Sequence, residues 1–164
     1  MDLDLKDKSV IVTGGASNIG RAIVLGFAAE GAKITIADLD TVAGEKVAAL
    51  ALQQGASAAR VIKTDVTDLT SVQNLFREAN DQHGGIHCLV NNVGWDKLMF
   101  FTQTTPDLWQ KLIAINYVGV LKCTKTALEY MTPAGGGSIL SISSDASRQG
   151  EAREAVYGGL KAAV

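Results

Sequence analysis

The chain has 164 residues, 47% of them hydrophobic and 20% charged, with a formal net charge of −2. That size and balance suit one globular domain, residues 1–164, with a sizeable core. They exclude the basic surface that nucleic acid requires and any Lys/Arg cluster for an anionic membrane. The opening Met1-Asp2-Leu3-Asp4-Leu5-Lys6-Asp7-Lys8 is charged and carries no apolar signal region. Apolar runs are short and interrupted, so no transmembrane helix is expected. Cys88 and Cys123 form neither a metal-binding nor a redox spacing. Cys88 stands in an apolar run and reads as a reduced core residue, which fits a cytoplasmic setting.

Short β-branched runs alternate with helical patterns along the chain. Residues 9–13 read as a buried strand. Residues 19–31 read as a helix with Ala22, Ile23, Phe27 and Ala28 able to share a face. A strand is predicted over 33–38 and an Ala-rich helix over 41–55. The third strand is placed at 59–64. Residues 67–83 are helical, with Thr67 or Asp68 as N-cap. The fourth strand is 86–91, followed by an irregular stretch at Gly94-Trp95-Asp96. Pro106 suits the first turn of a long helix running to about Met131. Gly135-Gly136-Gly137 is a turn, and residues 138–143 form the fifth strand. A polar loop over 145–154, too short for a domain boundary, leads to the last helix. Five strands separated by helices is a βαβ pattern. Right-handed crossovers then give an α/β fold, a doubly wound parallel sheet covered on both faces.

Two constellations carry chemistry. In a helix, Tyr157 and Lys161 lie one turn apart on one face. An ammonium there favours the phenolate and lowers the tyrosine pKa. The hydroxyl of Ser144 stands upstream to bind the same substrate oxygen, which makes a proton-transfer centre. The other constellation is Thr13-Gly14-Gly15-Ala16-Ser17-Asn18-Ile19-Gly20, joining the first strand to the first helix. Small residues let the backbone approach a pyrophosphate, and the helix N-terminus offers partial positive charge. A tight turn without a ligand has the same composition; the placement after the first strand favours binding. Asp38 ends the second strand, where a carboxylate accepts from a ribose diol and repels a 2′-phosphate. No Arg or Lys stands in the turn or directly after Asp38, which favours NAD over NADP.

These residues, with Asp65-Val66, Asn91-Asn92-Val93-Gly94 and Asn116, resemble the short-chain dehydrogenase/reductase family along the whole chain. The resemblance implies a Rossmann-like fold and hydride transfer between NAD and a secondary alcohol or ketone. It implies Tyr157 as general acid or base, Lys161 as the charge that tunes it and holds the nicotinamide ribose, and Ser144 as a hydrogen-bond partner of the substrate. Asn116 would interrupt the long helix and carry a water linking Lys161 to solvent. Gly14, Ser17, Asn18, Ile19 and Gly20 would cradle the phosphates, and Asp38 the adenosine ribose. Asp65 and Val66 would flank the adenine, and Asn91 and Gly94 would line the ribose side. Family members self-associate through the long helix and the tyrosine helix, so a homo-oligomer is expected.

The sequence departs from the family twice. Asn18 replaces a glycine of the turn, and asparagine tolerates left-handed backbone angles. The chain also stops at Val164, three residues after the lysine. That leads to the expectation that the C-terminal part of the family fold is absent, in a piece of a longer polypeptide or in a truncated form. The alternative function is then a protein that binds NAD or pairs with an intact subunit without turnover.

Trp95, Phe100 and Phe101 are candidates to wall an apolar substrate site, and Arg148 or Arg153 to meet an anion. Packing of the phenylalanines, and pairing of Arg148 with Asp145 or Glu151, are the competing readings. Asn91-Asn92-Val93-Gly94-Trp95-Asp96 with Ser144-Asp145-Ala146 and Glu154-Ala155-Val156-Tyr157 is similar to dehydrogenases of 2-hydroxycyclohexanecarboxyl-CoA. That similarity implies a cyclic or acyl-CoA alcohol as substrate.

Overall fold

The structure is a computed structural model that describes residues 3–164; Met1 and Asp2 of the charged opening lie outside the described residues. Strand β1 (Ser9–Thr13) is buried along its whole length, and so cannot show the alternation of a half-exposed strand. Its side chains still alternate in space. Val10 and Val12 join one core cluster, and Ile11 joins the other. Around β1 the chain lays down α1 (Asn18–Ala29), β2 (Lys33–Asp38), α2 (Thr41–Gln53), β3 (Ala58–Lys63) and α3 (Leu69–His83). Then follow β4 (Cys88–Asn91), α4 (Pro106–Ile113), α5 (Gly119–Met131), β5 (Ser138–Ser141), α6 (Ala146–Gln149) and α7 (Ala155–Ala162).

The five strands form one parallel sheet in the order β3-β2-β1-β4-β5. Chain order reverses between β1 and β4, and the crevice outside that point is where ligands bind in such sheets. Register is set by the apolar runs, with Val10 opposite Ile34 and Cys88. One face packs on α1 and α2 through Val24, Ala28, Val47 and Ala51. The other packs on α3 and α5 through Val72, Leu75, Phe76, Cys123 and Ala127.

Helix boundaries follow local chemistry. The Asp40 carboxylate accepts from the Ala43 N–H at 2.9 Å, and the Asp68 carboxylate accepts from the Thr70 N–H at 2.9 Å. Asp68, rather than Thr67, is therefore the cap of α3. The buried row of α1 is Gly20, Val24 and Ala28; Ile23 and Phe27 flank it, and Ala22 is exposed. The predicted face is rotated because Gly20 and Val24 lie against the end of β1.

The expected long helix is continuous but changes pitch. A π-helical turn, Ala114–Val118, joins α4 to α5. Asn116 causes it: its Nδ2 donates to the Leu112 carbonyl at 3.0 Å and competes with the backbone for that acceptor. Within the predicted polar loop the chain forms the single turn α6. Strands β4 and β5 are two residues shorter than expected, β4 at its start and β5 at its end.

Candidate active site

The turn after β1 is braced from β4. Asn92 donates from Nδ2 to the carbonyls of Thr13 at 3.0 Å and Gly14 at 3.1 Å. The Thr13 hydroxyl accepts from the N–H groups of Asn92 and Val93 at 3.0 and 3.2 Å. The chain then reverses through Gly14 and enters α1. A Cβ on Gly20 would lie 2.0 Å from the Gly14 oxygen, so only glycine fits where turn and helix touch. Asn18 adopts φ +47, the left-handed geometry that asparagine tolerates. Ser17 makes no side-chain cap bond, which leaves first-turn N–H groups of α1 directed at the crevice.

That crevice is a cleft of about 1280 Å³. Gly14, Ser17, Asn18, Ile19 and Gly20 form one end of its lining, with Asp38, Asp65 and Val66 beside them. Asp38 is held in place: its carboxylate accepts from the N–H groups of Ala16 at 3.0 Å and Asp40 at 3.1 Å. The Asp65 carboxylate accepts from the Thr67 hydroxyl at 2.7 Å and the Thr67 N–H at 2.8 Å. Those two bonds hold the carboxyl below the usual carboxylate range.

At the other end stand Gly94, Ser144, Tyr157 and Lys161. Helix α7 brings Tyr157 and Lys161 to one face, with the ammonium 5.9 Å from the centre of the phenol ring. Lys161 is buried, and its Nζ donates to the Ile142 carbonyl at 2.7 Å. The Ser143 hydroxyl donates to the Lys161 carbonyl at 2.7 Å, which ties α7 to the end of β5. The Ser144 hydroxyl accepts from the Ala146 N–H at 3.3 Å and lies near enough to the Tyr157 phenol to lower its pKa.

The electrostatics differ from the sequence expectation at Tyr157. Burial pushes its pKa up, the Ser144 hydroxyl pulls it down, and the carboxylates of Glu154 and Asp96 push it up again. Lys161 is not among the groups that shift the phenol, and in place of the expected lowering the pKa is raised because the phenol is partly desolvated and faces two carboxylates. Lys161 is itself shifted down by burial.

Two candidate residues stand behind the cleft wall. Asn91 is buried, and its Nδ2 donates to the hydroxyls of Thr124 at 3.1 Å and Ser141 at 3.5 Å. It joins β4 to α5 and β5, while Asn92, Val93 and Gly94 line the cleft. Asn116 is fully buried; it donates to the Trp95 carbonyl at 2.8 Å and accepts from the Trp95 N–H at 3.0 Å. It thereby sets the segment that carries Trp95.

Trp95 and Arg148 line the cleft, but Phe100 and Phe101 do not. Phe101 stacks on Trp109 at 6.0 Å, and the Arg153 guanidinium lies 5.6 Å from the Phe100 ring. Sequence reasoning gave no role to Asn92, the Ile142 carbonyl or Lys111. For Asn92 a signal existed in its adjacency to Asn91. The other two are a backbone atom and an exposed helix lysine, and only the tertiary fold brings them to the site.

Among the described residues no helix is long and apolar enough to cross a membrane. The family model described as short chain dehydrogenase matches residues 8–164. The chain is 33% identical over 157 residues to an uncharacterized oxidoreductase of Thermotoga maritima, covering 96% of this chain and 61% of the relative. It is 37% identical over 161 residues to a sorbitol dehydrogenase of Cereibacter sphaeroides, covering 98% and 61%. It is 34% identical over 164 residues to an acetoacetyl-CoA reductase of Synechocystis, covering 100% and 64%. The chain thus spans about three fifths of the length of these relatives.

Proposed function

The chain belongs to the short-chain dehydrogenase family, and on that premise we propose that it is an oxidoreductase moving a hydride between NAD and a secondary alcohol or ketone. The observation that carries this reading is the convergence of Ser144, Tyr157 and Lys161 on the cleft whose far end is the Gly14–Gly20 turn. That turn suits a dinucleotide on its own geometry. A Cβ at Gly20 would collide with the Gly14 carbonyl, and the free N–H groups of α1 offer anion donors. Asp38 suits a ribose diol and opposes a 2′-phosphate, which supports NAD over NADP.

Bound NAD supplies the hydride acceptor. The protein handles the proton. In the oxidative direction Tyr157 takes the hydroxyl proton as the hydride leaves the carbinol carbon, and in reduction it returns it. Ser144 hydrogen-bonds the same oxygen and fixes the carbon for transfer. Lys161, anchored on Ile142, keeps positive charge beside the phenol and is assigned to the nicotinamide ribose. Lys161 Nζ and Asn116 Oδ1 both border the space over Gly94, at 3.4 and 3.5 Å from an ideal Cβ there. We assign that space to a water leading from Lys161 toward solvent. Substrates named for the relatives include sorbitol and acetoacetyl-CoA. A cyclic or hydroxyacyl-CoA alcohol remains our proposal for this protein. We further propose a cytoplasmic homo-oligomer, supported by the exposed Leu121 and Leu128 on α5.

Calorimetric titration and NADH absorbance with the full-length protein test this reading. NAD should bind more tightly than NADP, and Asp38→Ala should narrow the gap. Tyr157→Phe should abolish turnover while NAD binding stays nearly intact; Lys161→Ala should damage both. Near-wild-type kcat in Tyr157→Phe would overturn the mechanism. NAD binding without turnover of any alcohol in the wild-type protein would favour a binding role instead.

A further inference from the structure

The cleft's substrate end carries two cations that the proposed mechanism does not use. Lys111, on α4, and Arg148, on α6, both line the cleft together with Tyr157. Helices α4 and α6 each pack on α7, so the two cations flank the tyrosine from different elements. Arg148 lies one turn beyond Ser144. Among the described residues neither side chain makes a hydrogen bond or an ion pair. Asp145 and Glu151 are near Arg148 in sequence and do not pair with it. The Lys111 ammonium lies 4.0 Å over the Trp95 ring, a contact that holds it on the cleft wall and leaves its N–H donors free. The other cation in the lining, Lys161, is committed to Ile142. Of the three carboxylates in the lining, Asp38 and Asp65 belong to the opposite end and are tied to backbone donors, and Asp145 stands near Arg148 without pairing with it; Asp96 and Glu154 act on Tyr157 from outside the lining.

A guanidinium offers a planar fork of donors that matches a carboxylate, and the ammonium adds a second charge. We propose that Lys111 and Arg148 form an anion-receiving end of the cleft, so that the alcohol or ketone handled at Tyr157 carries a negative charge. This rests on the oxidoreductase reading and narrows its substrate class. The charge comes either from a free carboxylate or from the phosphates of an acyl-CoA. Trp95 would cover the apolar part of the same molecule.

The test reads binding, so it does not depend on having found the natural substrate. Cyclohexanecarboxylate and its neutral isostere cyclohexanecarboxamide are titrated into the full-length protein with and without saturating NAD. Coenzyme A forms a third arm that separates phosphate from carboxylate recognition. We expect an anion, carboxylate or coenzyme A, to bind at least about tenfold more tightly than the amide, the scale of one charge-assisted hydrogen bond. Arg148→Gln and Lys111→Gln should each remove most of that preference, Arg148→Lys should restore part of it, and NAD affinity should be unchanged. Both side chains are exposed, so the variants should fold. Equal binding of anions and amide, or no anion binding to the NAD-loaded protein, would overturn the inference. Loss of NAD affinity in the variants would also overturn it, by assigning the cations to the cofactor's phosphates. Failure of the wild-type protein to bind NAD would instead defeat the oxidoreductase reading.

Discussion

Gly20 and Tyr157 show how little freedom single positions have here. At Gly20 a methyl group would overlap the Gly14 carbonyl at 2.0 Å and press on Asn92 Nδ2 at 2.6 Å. Both neighbours are braced, so the turn itself must move. Gly20→Ala should destabilise the fold by about 1–3 kcal/mol, the usual scale of overpacking. It should also weaken NAD binding; thermal unfolding and cofactor titration read the two effects. Unchanged values in both would show that the turn yields freely. At Tyr157 the sign of the pKa shift sets a pH dependence. The pKa is raised, chiefly by burial, so the proton-accepting phenolate becomes abundant only at alkaline pH. Alcohol oxidation should therefore rise with pH well beyond neutrality. Ser144→Ala removes the contact that lowers the pKa, so its kcat/KM profile should move to still higher pH. A shift to lower pH would contradict the lowering assigned to Ser144.

At the level of elements, the π-helical turn between α4 and α5 is the least regular feature and has a local cause. Asn116 spends its whole amide on Leu112 and Trp95. Asn116→Ala would leave the Trp95 N–H and carbonyl without their protein partner in a half-buried place. An orphaned buried polar group costs about 1–3 kcal/mol, and two are at stake. Because both are only half-buried, a loss of about 1–3 kcal/mol in denaturant unfolding is expected. Trp95 would lose its anchor, so any ligand resting on it should bind more weakly. Asn116→Asp should not rescue stability, because the donor is what the Leu112 and Trp95 carbonyls require. Rescue by aspartate would show that the contact with the Trp95 N–H dominates.

For the molecule as a whole, the sheet divides the core into two layers. Phe76 is the largest fully buried side chain in the layer under α3 and α5, and it stacks on Tyr130 with ring centres 6.2 Å apart. Phe76→Ala should cost about 3–5 kcal/mol, the range for emptying an aromatic site in a core. Denaturant midpoints at constant slope would measure it. Phe76 lies away from the cleft lining, so NAD affinity of the folded fraction should be preserved. A fall in affinity equal to that of Gly20→Ala would mean that the two layers are coupled.

The amino-acid order by itself determined the alternation of strands and helices, because apolar runs and capping residues act over a few neighbours. The ends of β1 and β2 and the left-handed Asn18 were legible for that reason, and the cap of α3 was narrowed to Thr67 or Asp68. The grouping of most candidate residues on one cleft was legible too, since parallel crossovers bring the strand ends together. Other features were decided only by tertiary structure. The face of α1 turned because Val24 meets β1, which periodicity does not register. Asn91 left the cleft for Thr124 and Ser141, residues 33 and 50 positions away. Lys161 found a backbone carbonyl at Ile142, and the pKa of Tyr157 rose, chiefly through burial. Solvation and long-range hydrogen bonding are properties of the packed molecule, and no spacing of residues along the chain encodes them.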